Sequence, residues 1–403
     1  MLIVVCIMLA AGLLFWIIQS VLLLLTLRVL PTLRGGVRPC RDDDALVSVI
    51  IPARDEQTVV EAAVRSRLAD HDPRIEYIAI NDRSNDSTGL ILDHLAASDD
   101  RLHVEHVSEL PQQWLGKVNA MQVGLERARG EWLLLSDADV FVEPGTVREA
   151  VDLADSLGVV HLAAIPSIRS RSLGLQFCLA PLQRVLIMLV RLWSVQDPHS
   201  DAAMGVGAFN LVRRDAFEAA GGFEALRLEV IDDVGVAVLI KEHGGATTAA
   251  FAAPCLHLSW YECFGDFISG IERGTAKFPT WCPRWVMAGF VLLLAVLDLS
   301  PFIALAAWGL SDVVGWIGLA ASSWVLLLSV LVSTRFGTSR LFALAAPLNT
   351  ILLALVGLRI VFGGARDGRI TWRGNEYDVA DLRRGERVRF SREGSDNATG
   401  ESP

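Results

Sequence analysis

A long apolar run at the start of the sequence limits what the chain can fold into. Residues 2–30 contain no charged side chain before Arg28. About 20 apolar residues suffice to cross a bilayer, whereas a signal-peptide core has only ~7–15. No basic segment precedes the run, so it predicts a membrane anchor instead of a cleaved leader. Four arginines follow and place its C-terminal end in the cytoplasm by the positive-inside rule: Arg28, Arg34, Arg38 and Arg41.

Apolar residues gather again towards the other end of the chain. They make up 52% of the sequence, whose mean hydropathy is +0.42. Segments 284–309 and 312–333 predict two spans, whereas 341–362 contains Pro347 and Asn349 and predicts a broken or re-entrant segment. Three full crossings would put the tail outside, but arginines near the membrane favour a cytoplasmic tail. These are Arg366, Arg369, Arg373, Arg383 and Arg384.

The sequence therefore predicts a soluble domain between two membrane parts. The predicted regions are a transmembrane helix at 1–30, a linker at 31–45, a soluble domain at 46–280, membrane segments at 284–362 and a tail at 363–403. The polar end of the tail is expected to be disordered. With its soluble domain in the cytoplasm, such a chain is predicted to be an integral protein of a bacterial inner membrane.

Short apolar runs alternate with helical stretches in the soluble domain. Strands are predicted at 47–53, 75–82, 101–107 and 130–140, with helices between them at 58–68, 87–97 and 118–128. This alternation is typical of βαβ units and predicts an α/β fold, with a mainly parallel sheet flanked by helices. Ligands of such sheets bind beyond the carboxyl ends of the strands, and clusters of polar residues stand at these positions.

One apolar segment inside the soluble domain carries charges. Residues 172–195 contain Pro181, Arg184 and Arg191. Charges at the depth of a bilayer are costly, so the segment predicts an amphipathic helix that lies in the membrane interface among the headgroups.

Charge and cysteine content exclude several classes of protein. The formal net charge is −10, which argues against a nucleic-acid partner. The six cysteines form no CxxC pair and no metal-binding spacing, so neither a disulfide framework nor a zinc site is predicted, and a reducing compartment is the simpler interpretation.

Two aspartates directly follow the apolar strand WLLLS. Asp137 and Asp139 stand at positions i and i+2 and would project to the same side. Hard divalent ions accept such carboxylate oxygens together with the phosphates of a substrate. A solvated turn is the alternative for a pair of aspartates considered alone.

Two further acidic positions stand at element ends. Asp82, in NDRSNDST, could accept a hydrogen bond from a nucleobase or ribose through its carboxylate, or could belong to a helix-capping cluster with its serine and aspartate neighbours. Asp232 and Asp233 begin a helical run. They could stabilise the N-terminus of the helix through its dipole. Alternatively, one of them could serve as a general base, because adjacent carboxylates raise each other's proton affinity.

Six motifs stand in a fixed order along the chain: VSVIIPARDE, AINDRSNDST, LGKVNAM, LLLSDAD, GAFNLVRRDAFEAAGGF and IDDVGVAVLIKEHG. In this order the chain resembles the family 2, GT-A-type glycosyltransferases over about residues 46–245, close to half its length. The flanking segments and the tail ITWRGNEY (370–377) resemble the membrane-bound branch that includes ceramide glucosyltransferases and the carotenoid- and hopanoid-associated enzymes. The resemblance implies inverting transfer of one sugar from a nucleotide diphosphate-sugar to a membrane-embedded lipid hydroxyl.

The resemblance also implies roles for single residues. The nucleotide pocket would be lined by Pro52, Arg54 and Glu56, with Asp82 on the base. Lys117 would lie near the base or the phosphates of the donor.

Three aspartates would carry the reaction itself. Asp137 and Asp139 would hold Mn2+ or Mg2+ on the diphosphate. Asp233 occupies the position of the catalytic base, and Asp232 replaces the usual glutamate of the family, which leaves the role of Asp232 open.

The chain departs from the family in one further motif. Processive synthases and ceramide glucosyltransferases carry (Q/R)xxRW after the base, whereas this chain has GIERGTAKFPTW. Arg273 could approach the diphosphate or be an interfacial arginine. Chain elongation is therefore less favoured, although a processive synthase or a polyprenyl-phosphate glycosyltransferase stays an alternative. A nucleotidyltransferase lacks support because PARDEQ replaces the glycine-rich loop, and a non-enzymatic scaffold would not be expected to keep the acidic set.

Overall fold

A computed structural model describes residues 1–41, 43–261, 263–275, 283–363, 369–372, 375–378 and 387–388. The helices in these ranges are α1 (Leu2–Val29), α2 (Val60–Leu68), α3 (Thr88–Ala96), α4 (Gly116–Arg127), α5 (Thr146–Leu157), α6 (Leu173–Val190), α7 (Arg214–Ala219), α8 (Asp232–Glu242), α9 (Phe264–Thr275), α10 (Arg284–Ala306), α11 (Asp312–Arg335), α12 (Arg340–Ala343) and α13 (Ala346–Gly363). The strands are β1 (Val47–Ala53), β2 (Ile75–Asp82), β3 (Leu102–Val107), β4 (Trp132–Leu135), β5 (Val140–Val142), β6 (His161–Ile165), β7 (Ser167–Arg169), β8 (Asn210–Arg213), β9 (Thr247–Phe251), β10 (Leu256–Ser259), β11 (Arg369–Trp372) and β12 (Asn375–Asp378).

A seven-stranded sheet organises the soluble domain in the order β3-β2-β1-β4-β8-β6-β9. Its pairs are parallel except for those of β8, which runs antiparallel to β4 and to β6. Strands β5, β10 and β7 form a small second sheet, and β11 pairs with β12. The predicted mainly parallel sheet is therefore confirmed.

Alternating side chains of the buried strands build a core on each face of the sheet. In β1, Val49 and Ile51 face a cluster that includes α2, α3 and α5, whereas Ile50 faces α4 and α8. Parallel strands covered on both faces read as continuous apolar runs, and VSVIIPA is such a run. Helices thus flank both faces, as predicted.

The predicted fourth strand, at 130–140, is interrupted. Strand β4 ends at Leu135, a turn contains Ala138 and Asp139, and β5 begins at Val140 and pairs with β10 in the second sheet. The apolar run continues through the change of sheet, so periodicity alone does not reveal the turn.

In the part of the chain that the structure describes, five helices are long and apolar enough to cross a membrane, judged by length and composition: Leu2–Val29, Leu173–Ser194, Arg284–Ala306, Asp312–Arg335 and Ala346–Gly363. One stands near the N-terminus and three lie after the soluble domain, in agreement with the predicted arrangement. A break is present in 341–362, because α12 ends at Ala343 and α13 begins at Ala346, but Pro347 and Asn349, from which the break was predicted, lie after it in the first turn of α13.

The environment of Arg184 differs from the one predicted for a headgroup-facing arginine. Its guanidinium is buried and pairs with Asp298 of α10, at 2.9 Å between Nη2 and Oδ2. It also donates to Ser329 of α11 (3.1 Å) and lies 5.0 Å from the ring centroid of Trp16 in α1. Placing Arg184 among the headgroups was wrong, because an acidic partner on another helix compensates its charge. Arg191 is partly exposed and pairs with Asp201.

Candidate active site

The turn after β4 presents two carboxylates on one side. Ser136, Ala138 and Val140 are buried, whereas Asp137 and Asp139 between them are partly exposed. The two aspartates therefore project to the same side, as their spacing predicts.

The buried guanidinium of Arg67 fixes the backbone of this turn. Its Nη2 donates to Ser136 Oγ (2.9 Å) and to the carbonyl oxygen of Asp137 (2.6 Å). Ser136 Oγ in turn donates to the carbonyl oxygen of Ala208 (2.7 Å). Arg67 stands on α2, so the first βαβ unit holds the loop that carries both aspartates.

Lys117 connects this turn to a second acidic pair. The lysine is in the first turn of α4, and its Nζ lies 2.9 Å from Asp137 Oδ1 and 3.0 Å from Asp232 Oδ2. Burial lowers the pKa of Lys117, but the charges of Asp137, Asp232 and Asp233 outweigh burial and raise this pKa above its ordinary value. The lysine therefore stays charged and offsets the acidic groups around it.

Backbone N–H groups hold the carboxylate of Asp233 in place. Gly207 N–H donates to Asp233 Oδ2 (2.9 Å), and Val234 N–H, in the first turn of α8, donates to Oδ1 (2.9 Å). A Cβ at Gly207 would lie 2.6 Å from Asp137 Oδ2, and one at Gly205 would lie 1.9 Å from the carbonyl oxygen of Asp233. These two glycines permit a close approach that larger residues would block.

A buried pair from the adjoining strands supports the backbone of Asp233. Asn210 Nδ2 donates to the carbonyl oxygen of Asp233 (3.0 Å), and Asn210 Oδ1 lies 2.7 Å from Nε2 of His161. Burial lowers the pKa of His161 to about 4, although its hydrogen bond to Asn210 opposes this shift. His161 is therefore neutral near pH 7 and can donate from Nε2 to the amide oxygen.

Two carboxyl groups of the site bind protons more tightly than usual. Burial, followed by the charge of Asp137, raises the pKa of Asp139 to about 6. Burial also raises the pKa of Asp232 to about 6, with the charges of Asp233 and Asp137 adding to the shift and Lys117 opposing it. Burial is therefore the main cause of the shift in the pKa of Asp232, and the neighbouring carboxylates add to it.

The chemistry of Asp137 and Asp139 fits a divalent cation. Their partly exposed oxygens are hard ligands, and burial together with the charge of Asp137 raises the pKa of Asp139, although Arg67 and Lys117 oppose this shift. Among the residues that the structure describes, no group of three His, Cys, Asp or Glu side chains is placed to hold a metal. Mg2+ commonly binds one or two carboxylates and completes its shell with phosphate oxygens and water, so two protein ligands suffice.

Five of the ten predicted site residues meet in one pocket at the carboxyl edge of the sheet. It is lined by Pro52, Lys117, Met121, Leu135, Ser136, Asp137, Gly207, Asn210, Asp232 and Asp233. The pocket thus brings the proposed base within reach of the turn that carries the two metal-ligand candidates.

A second group of predicted residues lies beside this pocket, at the ends of β1 and β2. Both oxygens of the buried Asp82 contact the guanidinium of Arg83 (2.7 and 3.1 Å), and Arg54 Nη1 lies 4.0 Å from Asp82 Oδ2. A Cβ at Gly116, the residue before Lys117, would lie 2.7 Å from Asp82 Oδ2. The two groups therefore adjoin each other.

The structure describes the last two predicted residues, Glu56 and Arg273, in less detail. Glu56 follows β1, and its N–H donates to Thr88 Oγ1 (2.8 Å) at the start of α3. The backbone of Arg273 belongs to α9, but its side chain lies outside the described residues.

Four residues of the site were not predicted from the sequence: Arg67, Arg83, His161 and Asn210. Arg83 and Asn210 stand inside the motifs AINDRSNDST and GAFNLVRRDAFEAAGGF, and His161 interrupts the apolar run VVHLAAI. A polar side chain inside an apolar strand is a usable signal, because burial requires a hydrogen-bonding partner. No local pattern identifies Arg67, whose contacts are 69 and 70 residues away.

Comparison with known proteins identifies the domain. Residues 48–220 match the family model described as Glycosyl transferase family 2. The putative teichuronic acid biosynthesis glycosyltransferase TuaG of Bacillus subtilis (strain 168) is 35% identical over 94 residues, which are 23% of this chain and 36% of that protein. The succinoglycan biosynthesis protein ExoO of Rhizobium meliloti (strain 1021) is 27% identical over 138 residues, 34% of this chain and 38% of that protein. The matches thus span little more than a third of either relative.

Among solved structures, the mannosyltransferase PcManGT from Pyrobaculum calidifontis, in complex with GDP-Man and Mn2+, is similar to this chain. Its identity is 15% and its TM-score 0.45, with 90% of this chain and 98% of that chain covered. This likeness is too distant to inform the chemistry of the site. The family match, together with the sequence relatives, confirms the predicted enzyme class for one part of the chain: residues 48–220 match a family 2 glycosyltransferase domain and supply every pocket residue except Asp232 and Asp233.

Proposed function

We propose that the protein transfers one sugar from a nucleotide diphosphate-sugar to a lipid hydroxyl at the membrane surface, with inversion at the anomeric carbon. The observation that carries the proposal is the convergence of Asp137, Lys117, Asp232 and Asp233 in one pocket of a family 2 domain. Such a pocket combines a cationic group, metal-ligand candidates and a fixed carboxylate. These are the groups that displacement of a diphosphate by a hydroxyl requires.

The donor would bind across the carboxyl ends of the central strands. The nucleoside would be received by Pro52, Arg54, Glu56 and Asp82, since these residues stand at or just after the carboxyl ends of β1 and β2, in or beside the pocket. Lys117 would approach the phosphates, because its ammonium group carries a positive charge and lies in the pocket beside Asp137 and Asp232. Asp137 and Asp139 would hold Mn2+ or Mg2+, which when bound would offset the charge developing on the departing diphosphate.

The fixed carboxylate of Asp233 would act on the acceptor. It would accept the proton of the acceptor hydroxyl while the hydroxyl oxygen attacks the anomeric carbon from the face opposite the diphosphate. The hydrogen bond from Gly207 keeps this carboxylate in position before the acceptor arrives. Asp232 is paired with Lys117 at 3.0 Å, which supports a role in positioning the lysine.

A lipid acceptor is supported by the short path from the pocket to the apolar helices. Asp139 directly precedes β5, where Val140 pairs with Leu258 of β10. Trp260 follows β10, and its ring lies 5.7 Å from that of Phe267 in α9. These aromatic residues pack with α6 and α13 in one apolar cluster. A lipid hydroxyl could therefore reach the pocket while its tail stays among apolar helices.

The placement of α6 supports an interfacial position for this helix. Strands β6 and β8 precede and follow it in the chain, yet they pair in the same sheet. A single crossing by α6 would separate these two strands by a membrane. The flanking residues also contact the domain, since Ser170 Oγ donates to the carbonyl oxygen of Tyr261 (3.4 Å) and Gln196 Nε2 donates to Thr248 Oγ1 (2.6 Å). Both ends of α6 thus remain on the side of the sheet.

The proposal is tested by removing the base while keeping its shape. Asp233→Asn should lower sugar transfer by about 10²–10⁴-fold, the usual contribution of a general base. Binding of UDP and GDP, measured by calorimetry, should stay near that of the unchanged protein. Transfer is followed with radiolabelled UDP-glucose and GDP-mannose into an extract of bacterial lipids.

Asp232→Asn is the matched control, since it is isosteric and adjacent, and it should reduce transfer less. An active Asp233→Asn variant beside an inactive Asp232→Asn variant would reverse the two roles. Absence of transfer by the unchanged protein to any lipid of the extract, with either donor, would count against the proposed acceptor class.

A further inference from the structure

The tail of the chain returns to the glycosyltransferase domain close to the proposed base. Backbone N–H groups of Arg387 and Val388 donate to Glu229 Oε2, at 2.8 and 3.2 Å. The Arg387 side chain donates from Nε to the carbonyl oxygen of Ala225 (2.9 Å) and pairs through Nη1 with Glu242 (3.0 Å). Val388 is buried in the contact. Two consecutive tail residues are therefore bound by backbone and side-chain hydrogen bonds, and the second of them is buried.

Glu229 links this contact to the helix that carries the base. Its carboxylate is fully buried (0% exposed), and its other oxygen, Oε1, accepts from Ile231 N–H at 3.1 Å. Ile231 is the residue directly before α8, whose first two residues are Asp232 and Asp233. A buried carboxylate requires hydrogen-bond donors on its oxygens, because burial of an unpaired charge is costly. The tail supplies two donors to the same carboxylate that holds the start of α8.

We propose that residues 387–388 are positioning residues for sugar transfer, acting through Glu229 on the start of α8. The inference deepens the proposed function, because it rests on Asp233 as the base. With the tail in place, Glu229 is held from one side by the tail and from the other by Ile231. Without the tail, Glu229 loses two donors, and its carboxylate holds the turn before Asp232 and Asp233 less firmly. The tail thus orients the base without contacting either substrate.

Two truncations that differ by two residues test the inference. A chain ending at residue 386 lacks both contacts, whereas a chain ending at residue 388 keeps them and lacks only residues 389–403. The shorter chain should lose about tenfold or more in kcat, as expected for two lost hydrogen bonds to a charged group, with less change in the KM for the nucleotide-sugar. The longer chain should match the full-length protein. Equal activity of the two truncations, whether full or lost, would overturn the proposal.

Glu229→Gln separates positioning from a general loss of structure. An amide at this position cannot accept on both sides, so the variant should lower kcat as the shorter truncation does. Combining the variant with that truncation should add little further loss, since both changes break the same connection. Fully additive losses would show that the tail acts elsewhere.

Hydrogen exchange gives a measurement that does not depend on activity. The amides of residues 231–236 should exchange faster in the chain ending at 386 than in the chain ending at 388. If the protein transfers no sugar at all but this difference is present, the proposed function fails while the docking of the tail stands. If exchange at 231–236 is the same in both chains, the docking itself is refuted.

Discussion

At the scale of single residues, the pocket depends on how its acidic groups share positive charge. Lys117 compensates Asp137 and Asp232, whereas Asp139 has its pKa raised to about 6 by burial and by the charge of Asp137. Arg67 and Lys117 oppose this rise in the pKa of Asp139. A divalent ion held by Asp137 and Asp139 would add positive charge to this acidic group.

Asp139→Asn should abolish metal-dependent transfer, because it removes one of two carboxylate ligands while keeping the size of the side chain. Treatment of the unchanged protein with EDTA should have the same effect, and added Mn2+ or Mg2+ should restore activity only to the unchanged protein. Transfer rates with and without the added ion provide the measurement. Asp155→Asn, on the exposed end of α5, is the control and should leave the metal response unchanged. Full turnover in a chelated preparation would refute a metal role for this pair.

The ends of strands are where sequence reasoning reached the site most directly. Four aspartates stand directly after or at the start of elements whose apolar periodicity is clear: Asp137, Asp139, Asp232 and Asp233. The structure brings them to one edge of the sheet. Arg67 and Gly207 are different, because their contacts join residues far apart in the chain. Contacts of that kind follow from the order of strands in the sheet, which periodicity does not specify.

At the scale of elements, α6 shows that a sequence pattern can predict a helix correctly without revealing the partner of a buried charge. Its apolar composition and two arginines predicted a helix in the membrane interface, and the pairing of β6 with β8 supports that position. The environment predicted for the Arg184 side chain was wrong, because its acidic partner, Asp298, stands 114 residues later and a local pattern does not reveal it. The fourth strand was predicted too long for a similar reason, since β5 continues the apolar run but pairs with a different sheet.

Leu186 and Leu189 of α6 are exposed, which predicts that they contact the apolar part of the membrane. Replacing both with Asp should weaken transfer to long-chain acceptors far more than hydrolysis of the donor by water. The reason is that lifting a tail out of the bilayer costs ~0.8 kcal/mol for each CH2 group. Both rates are compared in bilayer-reconstituted and detergent-solubilised protein.

Leu157→Asp is the matched control for this prediction, since Leu157 is also exposed but stands at the end of α5 in the soluble domain. It should change neither rate. Equal loss of both rates in the α6 variant would indicate misfolding. If neither rate is lost, Leu186 and Leu189 do not help the lipid acceptor to reach the pocket.

At the scale of the whole molecule, the apolar helices return the chain to its soluble domain. The ring of Phe362, at the end of α13, lies 5.5 Å from that of Trp285 at the start of α10. Thr350, near the start of α13, contacts Asp298, which lies in the second half of α10. Helix α13 therefore runs back along α10 to the end from which α10 begins. This course supports a tail on the side of the soluble domain, as the arginines after α13 predicted.

A buried ion pair joins the helices at the centre of this arrangement. Arg184 of α6 pairs with Asp298 of α10, while Trp16 of α1 and Ser329 of α11 contact the guanidinium. Asp298→Asn should destabilise the protein by about 3–5 kcal/mol, because it leaves a buried arginine without its counter-charge. Replacing both partners, as Arg184→Met with Asp298→Leu, should cost clearly less, since no uncompensated charge remains.

Thermal unfolding of the purified protein in detergent measures these differences. Asp312→Asn, at the exposed start of α11, serves as the control and should leave the midpoint almost unchanged, because surface charges contribute little. If the single and double variants unfold at the same temperature, the ion pair does not bear on stability. If the double variant is the less stable of the two, the pair contributes a net attraction that apolar packing cannot replace. In the expected case the pair chiefly specifies which helices meet, and so holds α6 against α1, α10 and α11.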